Sequence, residues 1–132
     1  MKILVTGVAG FLGSHLSERL SKMNHEVLGI DNMIGGYSDN VPKNIKFFNF
    51  DCCNLKKMNE IMIGVDVVYH CAATAHEGLS VFSPYEIGKN NFLASSSVFS
   101  SAISNKVKRI IFCSSMARYG SQKTPFNEDM MP

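Results

Sequence analysis

Three glycines spaced three apart, Gly7, Gly10 and Gly13, followed by a carboxylate at Asp31, carry the first chemical signal in this chain. One glycine permits a tight turn, one lets a phosphate approach the backbone, and one lets a helix pack closely on its strand. Free N–H groups at the start of such a helix face negative charge. Asp31 ends a second apolar run, where a short carboxylate accepts hydrogen bonds from an adenosine ribose. A 2'-phosphate would meet repulsion there, and no Arg follows in Asn32-Met33-Ile34, so the pattern favours NAD over NADP. The spacing is G-x-x-G-x-x-G rather than G-x-G-x-x-G, and glycine triplets alone say little. What makes this one informative is its register with a strand before it and a helix after it.

The elements that must position these residues follow from periodicity. An apolar run too short for a helix breaks at Gly7, and Phe11, Leu12, Leu16, Leu20 and Met23 predict an amphipathic helix at once. Residues 25–30 read as a second strand, 45–50 as a third ending at Asp51, 65–69 as a fourth, and 108–113 as a fifth. Asn54 caps a short helix that carries Leu55, Met58 and Ile61 inward. Ser83-Pro84-Tyr85-Glu86 reads as a capping box with proline at the first helical position, opening a helix over 84–105. Ile87, Asn91, Ala94, Val98 and Ala102 share one face of it, and the run Ser95-Ser96-Ser97 reads as small residues for close packing.

The predicted fold is an α/β Rossmann-type, doubly wound parallel sheet of about five strands in the order 3-2-1-4-5, set by right-handed crossovers. In such sheets ligands sit outside the carboxyl ends of the strands, so Gly7, Asp31, Asp51, Ala72 and Ser115 converge on one rim. Small residues after the fourth strand, Ala72 and Ala73, would let a cofactor lie against the backbone. His70 reads first as a satisfied core histidine. Asn91, if buried, needs partners, either near the cofactor or between strand ends. The segment 32–40 is a loop by composition, bordering the adenosine side.

Composition narrows the class. The 132 residues are 45% hydrophobic and 18% charged, enough for one domain with a real core. The formal charge of +2 comes from scattered Lys and Arg, without the basic stripe that tracks nucleic acid. No apolar stretch approaches a membrane span and no signal peptide is visible, so a cytoplasmic protein is expected. Cys52, Cys53, Cys71 and Cys113 lack C-x-x-C spacing, and reduced thiols are the expectation. Metal ligation by Cys71 or Cys113 with His70 or His76 is disfavoured, and no metal site is assigned.

The chain resembles the N-terminal part of an extended short-chain dehydrogenase/reductase of the NAD-dependent epimerase/dehydratase family. The resemblance rests on Thr6-Gly7-Val8-Ala9-Gly10-Phe11-Leu12-Gly13, Asp31-Asn32, Asp51, His70-Cys71-Ala72-Ala73, Asn91-Phe92-Leu93-Ala94-Ser95 and the stretch from Val107 through Ser114-Ser115 to Tyr119-Gly120. It implies Phe11 and Leu12 beside a pyrophosphate, Asp31 and Asn32 by the adenosine ribose, and Asp51 with Cys52 by the adenine. It implies Cys71, Ala72, Ala73, Thr74 and Ala75 by the nicotinamide-side ribose, with Asn91 and Ser114 close by. Ser115 matches a catalytic serine that hydrogen-bonds the sugar hydroxyl or ketone.

The implied activity is nucleotide-sugar epimerisation or dehydration with NAD, in a homodimeric enzyme. Two departures stand out: Ala94-Ser95 where Gly-Thr is usual, and Met116-Ala117-Arg118 in place of small residues, with Arg118 able to alter substrate choice. The family's Tyr-x-x-x-Lys pair has two spacing matches here, at Tyr85 with Lys89 and Tyr119 with Lys123. The first opens the preceding helix, and Gly120 and Pro125 break the second. The pair is therefore expected beyond Pro132, together with a sugar-nucleotide domain, and the exposed fifth strand is expected to promote self-association. The alternatives are a non-catalytic NAD-binding regulatory module and a reductase of non-sugar substrates.

Overall fold

A computed structural model of the chain describes residues 1–131, apart from the side chain of Glu77. Strands β1 (Lys2–Thr6), β2 (Glu26–Asp31), β3 (Lys46–Asn49), β4 (Val67–His70) and β5 (Arg109–Phe112) form one parallel sheet in the order β3-β2-β1-β4-β5. That is the order right-handed crossovers dictate. Each strand lies within a residue or two of its sequence-derived bounds.

The sheet is covered on both faces. Leu4, Leu28, Ile30 and Val68 pack against Met58 and Met62 on one face, together with Ala94, Val98 and Ala102 from the long helical segment. Ile3, Val5 and Val27 pack against Leu20 of α1 (Phe11–Lys22) on the other. Alternate residues of β1 thus serve different layers, which is why the strand is apolar without a break.

Two helices bury other residues than periodicity predicts. In α1 the buried residues are Gly13, Ser14, Ser17 and Leu20, while Phe11, Leu12 and Met23 stand exposed. Close approach to the sheet selects small residues on the inner face: a Cβ on Gly13 would lie 2.1 Å from the Gly7 carbonyl oxygen. In α2 (Leu55–Ile61) Asn54 does cap the helix, accepting from the Lys57 N–H, but Leu55 is exposed and Met58 and Met62 fill the core.

The predicted helix over 84–105 is continuous but not uniform. It runs as α4 (Pro84–Gly88), a wide π turn (Lys89–Leu93) and α5 (Ala94–Ser104). Pro84 sits at its start as read, whereas the Ser83 side chain makes no capping hydrogen bond. A short helix, α3 (Glu77–Ser80), precedes it, and Ser38–Asn40 and Met116–Tyr119 form 3₁₀ turns. Ser97 is buried on the inner face of α5, in keeping with small size for close packing. β5 lies at the sheet edge, with Phe112 half exposed. Among the described residues, no helix is long and apolar enough to cross a membrane.

The glycines sort into those that packing requires and those it does not. Gly13→Ala forces a backbone carbonyl to move and is expected to destabilise by roughly 1–3 kcal/mol. Gly88, helical and with nothing within 4 Å of an added Cβ, should tolerate alanine, with a gain of about 0.5–1 kcal/mol. Urea unfolding of the two variants beside the parent checks both signs.

Candidate functional site

The carboxyl ends of β1 to β4 open into one cleft of about 560 Å³, within the usual size range of small-ligand sites. Its walls include Gly7, Gly10, Phe11, Asp31, Asn32, Asp51, Cys52, Cys71, Ala72, Ala73, Thr74 and Ala75. These are twelve of the positions the sequence singles out. Leu12, Gly13, Asn91, Ser114 and Ser115 are not among the lining residues.

The floor is backbone. Gly7 has φ +71°, and a Cβ there would lie 2.8 Å from the Ala72 nitrogen, so β1 and the segment after β4 touch main chain to main chain. Gly10 precedes α1 with no side-chain cap, which leaves the first-turn N–H groups of the helix without a side-chain partner beside the cleft wall at Gly10 and Phe11. Gly13 lies behind that turn and sets its depth.

Asp31 is buried at the end of β2. One carboxylate oxygen accepts the Ala9 N–H (2.9 Å) and the other the Met33 N–H (2.8 Å). Each oxygen keeps a further lone pair for a ligand hydroxyl. The loop beyond it folds back onto the glycine turn: the Tyr37 N–H and the Asn40 amide both donate to the Ala9 carbonyl. This brings Ile34, Gly35 and Gly36 into the wall. Composition marked this stretch as a loop, but its docking depends on hydrogen bonds to a distant turn and carries no local signature.

Asp51 accepts the Cys53 N–H (2.8 Å) and lies 3.9 Å from the Lys89 ammonium. Burial works to raise its carboxyl, but the Cys53 backbone and thiol, Lys89 and the Asn32 side chain together hold it below its ordinary value. The adjacent Cys52 thiol is pushed up to about 12 by burial and by the Asp51 charge, so it stays protonated and packs as an apolar group.

The wall after β4 is held by a chain of side-chain bonds. Asn91, in the π turn, accepts the Thr74 N–H (2.7 Å) and donates to the Thr74 carbonyl (3.1 Å). Both functions of its amide are used on one residue, so Asn91 fixes the wall rather than forming it. Asn90 donates to the Thr74 hydroxyl (3.2 Å), while its carbonyl oxygen is buried without a partner among the described residues. Asn90, His76, Leu79 and Ala94 complete the lining and were not singled out as binding residues. The wide turn that aims Asn90 inward is invisible to a 3.6-residue reading.

His70 is buried, as a core histidine should be, and its proton is fixed by its neighbours. The Ser95 hydroxyl donates to the Asn91 carbonyl (2.5 Å), so it must accept from His70 Nε2 (2.9 Å). His70 Nδ1 then accepts from the Thr6 hydroxyl (2.7 Å), which in turn accepts the Ala72 N–H (3.2 Å). The ring is neutral and ties β1, the Ala72 wall and the π turn together.

Ser115 lies outside the cleft, beyond β5, exposed, with its hydroxyl accepting the Ala117 N–H (3.1 Å). Ser114 is exposed beside it. Among the described residues, no three His, Cys, Asp or Glu side chains are placed to hold a metal ion.

Residues 3–132 match the NAD dependent epimerase/dehydratase family. The chain belongs to that family. Among curated relatives, UDP-N-acetyl-alpha-D-glucosaminuronate decarboxylase of Bacillus cytotoxicus is 34% identical over 131 residues, covering 97% of this chain and 40% of that protein. A UDP-glucose 4-epimerase sequence of Klebsiella pneumoniae is 34% identical over 138 residues, covering 97% of this chain and 99% of that sequence. UDP-glucose 4-epimerase of Thermus thermophilus, solved with NAD, superposes with TM-score 0.91 at 31% identity, over all of this chain and 44% of the other. This family member thus spans less than half the length of the decarboxylase and of that solved epimerase.

The neutral His70 makes stability depend on pH. Burial lowers its pKa from 6.5 to about 4, so between those values the unfolded chain binds the extra proton. The stabilisation is present above about pH 6.5 and is lost as pH falls toward 4, amounting to about 3 kcal/mol over the window. Urea unfolding from pH 7 to pH 4.5 should show that decline, and a His70→Leu variant should be less stable at pH 7 with a flatter profile.

Proposed function

We propose that this chain is the NAD-binding domain of a nucleotide-sugar epimerase or dehydratase of the UDP-glucose 4-epimerase kind. The observation that carries the reading is the bare-backbone junction of Gly7 with Ala72, beneath an uncapped helix start and beside the buried Asp31. A Cβ at Gly7 would collide with the Ala72 main chain, so this floor is bare backbone, with no side chain at Gly7 to hold a dinucleotide off it. The family membership and the NAD-bound solved relative support the same cofactor.

In this reading the first-turn N–H groups around Phe11, Leu12 and Gly13 hold the pyrophosphate. Asp31 and Asn32 take the adenosine ribose hydroxyls, and Asp51 with Cys52 borders the adenine. The segment of Cys71, Ala72, Ala73, Thr74 and Ala75 lies along the nicotinamide-side ribose, with Asn91 and the His70 chain keeping that wall in place. Bound NAD supplies a hydride acceptor at the nicotinamide ring. Ser115 hydrogen-bonds the sugar hydroxyl or ketone at the reacting carbon, and Ser114 leads the backbone to it. The protein works in the cytoplasm as a homodimer, on nucleotide sugars.

Calorimetric titration with NAD and NADP tests the cofactor. NAD should bind with NADP weaker, and Asp31→Ala should weaken NAD by about tenfold or more, the loss of hydrogen bonds to a charged group. A folded chain that binds neither, or both alike, overturns the assignment. For the substrate, a protein joining this chain to a Tyr-x-x-x-Lys helix should epimerise or dehydrate a member of a panel of UDP-, GDP- and dTDP-sugars. Inactivity on every one of them counts against that class.

A further inference from the structure

β4 and β5 are paired with His70 opposite Phe112, and one step further toward the cleft stand Cys71 and Cys113. The Cys113 N–H still donates to the His70 carbonyl (3.2 Å), so the pairing continues past the last ladder residue. The two sulfurs are free thiols 3.6 Å apart. Adjacent strands run about 4.8 Å apart, inside the roughly 4.4–6.8 Å between Cα atoms that a disulfide spans. Closing the sulfurs to about 2.05 Å takes a movement of about 1.5 Å, within the reach of χ1 adjustments at a strand end.

The two thiols also differ in access, as a reactive pair requires. Cys113 is exposed and meets a reagent from solvent, while Cys71 is half-buried at the cleft wall. Burial, with the neighbouring Cys113, pushes the Cys71 thiol up to about 12, so Cys71 does not open the reaction; once Cys113 carries an adduct, the part of that shift due to the Cys113 thiol is gone. The other two cysteines are poor competitors. Cys52 is buried, and the Cys53 thiol donates to the Lys89 carbonyl (3.4 Å).

We propose that Cys71 and Cys113 form a reversible disulfide, a modification site for small-molecule disulfides at the rim of the cleft. The Cys113 thiolate attacks one sulfur of a disulfide RSSR, forming Cys113–S–S–R and releasing one RSH. Cys71 then loses its proton and attacks the Cys113 sulfur, forming the protein disulfide and expelling the second RSH. Two protein thiols are oxidised, and one external disulfide is reduced to two thiols. The new bond ties the wall beside Ala72 to the strand end that leads into Ser114 and Ser115. Its effect on cofactor affinity rests on the NAD reading above; the bond itself does not.

The test is incubation of the chain with oxidised glutathione, alkylation of remaining thiols, and peptide mapping by mass spectrometry. The expected product is a Cys71–Cys113 cross-linked peptide that dithiothreitol abolishes, with Cys52 and Cys53 alkylated. Cys113→Ser should remove the cross-link, and Cys71→Ser should arrest the reaction as a glutathione adduct on Cys113. A stable adduct on Cys113 in the unsubstituted chain, or cross-links only between chains, overturns the proposal, as does alkylation of both thiols. NAD titration of the oxidised chain should give an affinity lower by at least about fivefold. Equal affinities overturn the coupling to the cofactor, whereas failure of the reduced chain to bind NAD overturns the cofactor reading and leaves the disulfide map standing.

Discussion

The Gly13 Cα stands so near the Gly7 carbonyl that no side-chain carbon fits between them, and much of the molecule follows from that approach. It lets α1 settle onto the sheet through Gly13, Ser14 and Ser17, and brings its uncapped start beside the strand ends. Gly7 in a left-handed conformation makes the same economy on the other side, where its neighbour is the main chain of Ala72. Two missing side chains therefore create both a junction between β1 and the end of β4 and the floor on which a dinucleotide would rest. The binding surface and the packing surface are the same atoms, so neither can be altered independently of the other.

Around that floor the polar groups are arranged to hold walls. Asp31 holds Ala9 and Met33 in place, Asn91 holds both main-chain groups of Thr74, and His70 links Thr6 to Ser95 with one defined tautomer. Buried polar networks of this kind are costly when incomplete, because a low-dielectric interior penalises each unpaired group. Here they are nearly complete. The Asn90 carbonyl, buried with no partner among the described residues, is an exception at the cleft itself.

Much of this was legible in the chain. The glycine spacing, the apolar runs and the polar residue closing each strand are local signals, and the crossover rule turned them into the observed strand order. The cleft residues on β1, β2, β3 and β4 followed because strand ends must converge. Helix faces were harder. Phe11, Leu12 and Met23 looked like the inner stripe of α1, yet contact at glycine distance makes Gly13, Ser14 and Ser17 the inner residues of its first turns, with Leu20 inward only further along. Leu55 was misplaced for a related reason: Met58 and Met62, four apart, already fill the space under α2. The docking of 34–36 and the meeting of Cys71 with Cys113 depend on residues far apart in sequence, which periodicity cannot supply. Strand-end convergence puts Ser115 on the same rim and the motif resemblance gives it its role, yet in this structure its hydroxyl caps a 3₁₀ turn outside the cleft.

The π turn at Lys89–Leu93 holds one residue more than an α-helix would use for the same rise. Within it Asn90 and Asn91 face Thr74; downstream the helix is phased to present Ala94, Val98 and Ala102 to the sheet. Each residue of an α-helix advances by about 100°, so losing one here would keep the lower half in the core and swing the asparagines away from the wall. The segment therefore behaves as a vernier between two surfaces. Its length, more than the identity of any single residue in it, sets whether the helix can meet both at once.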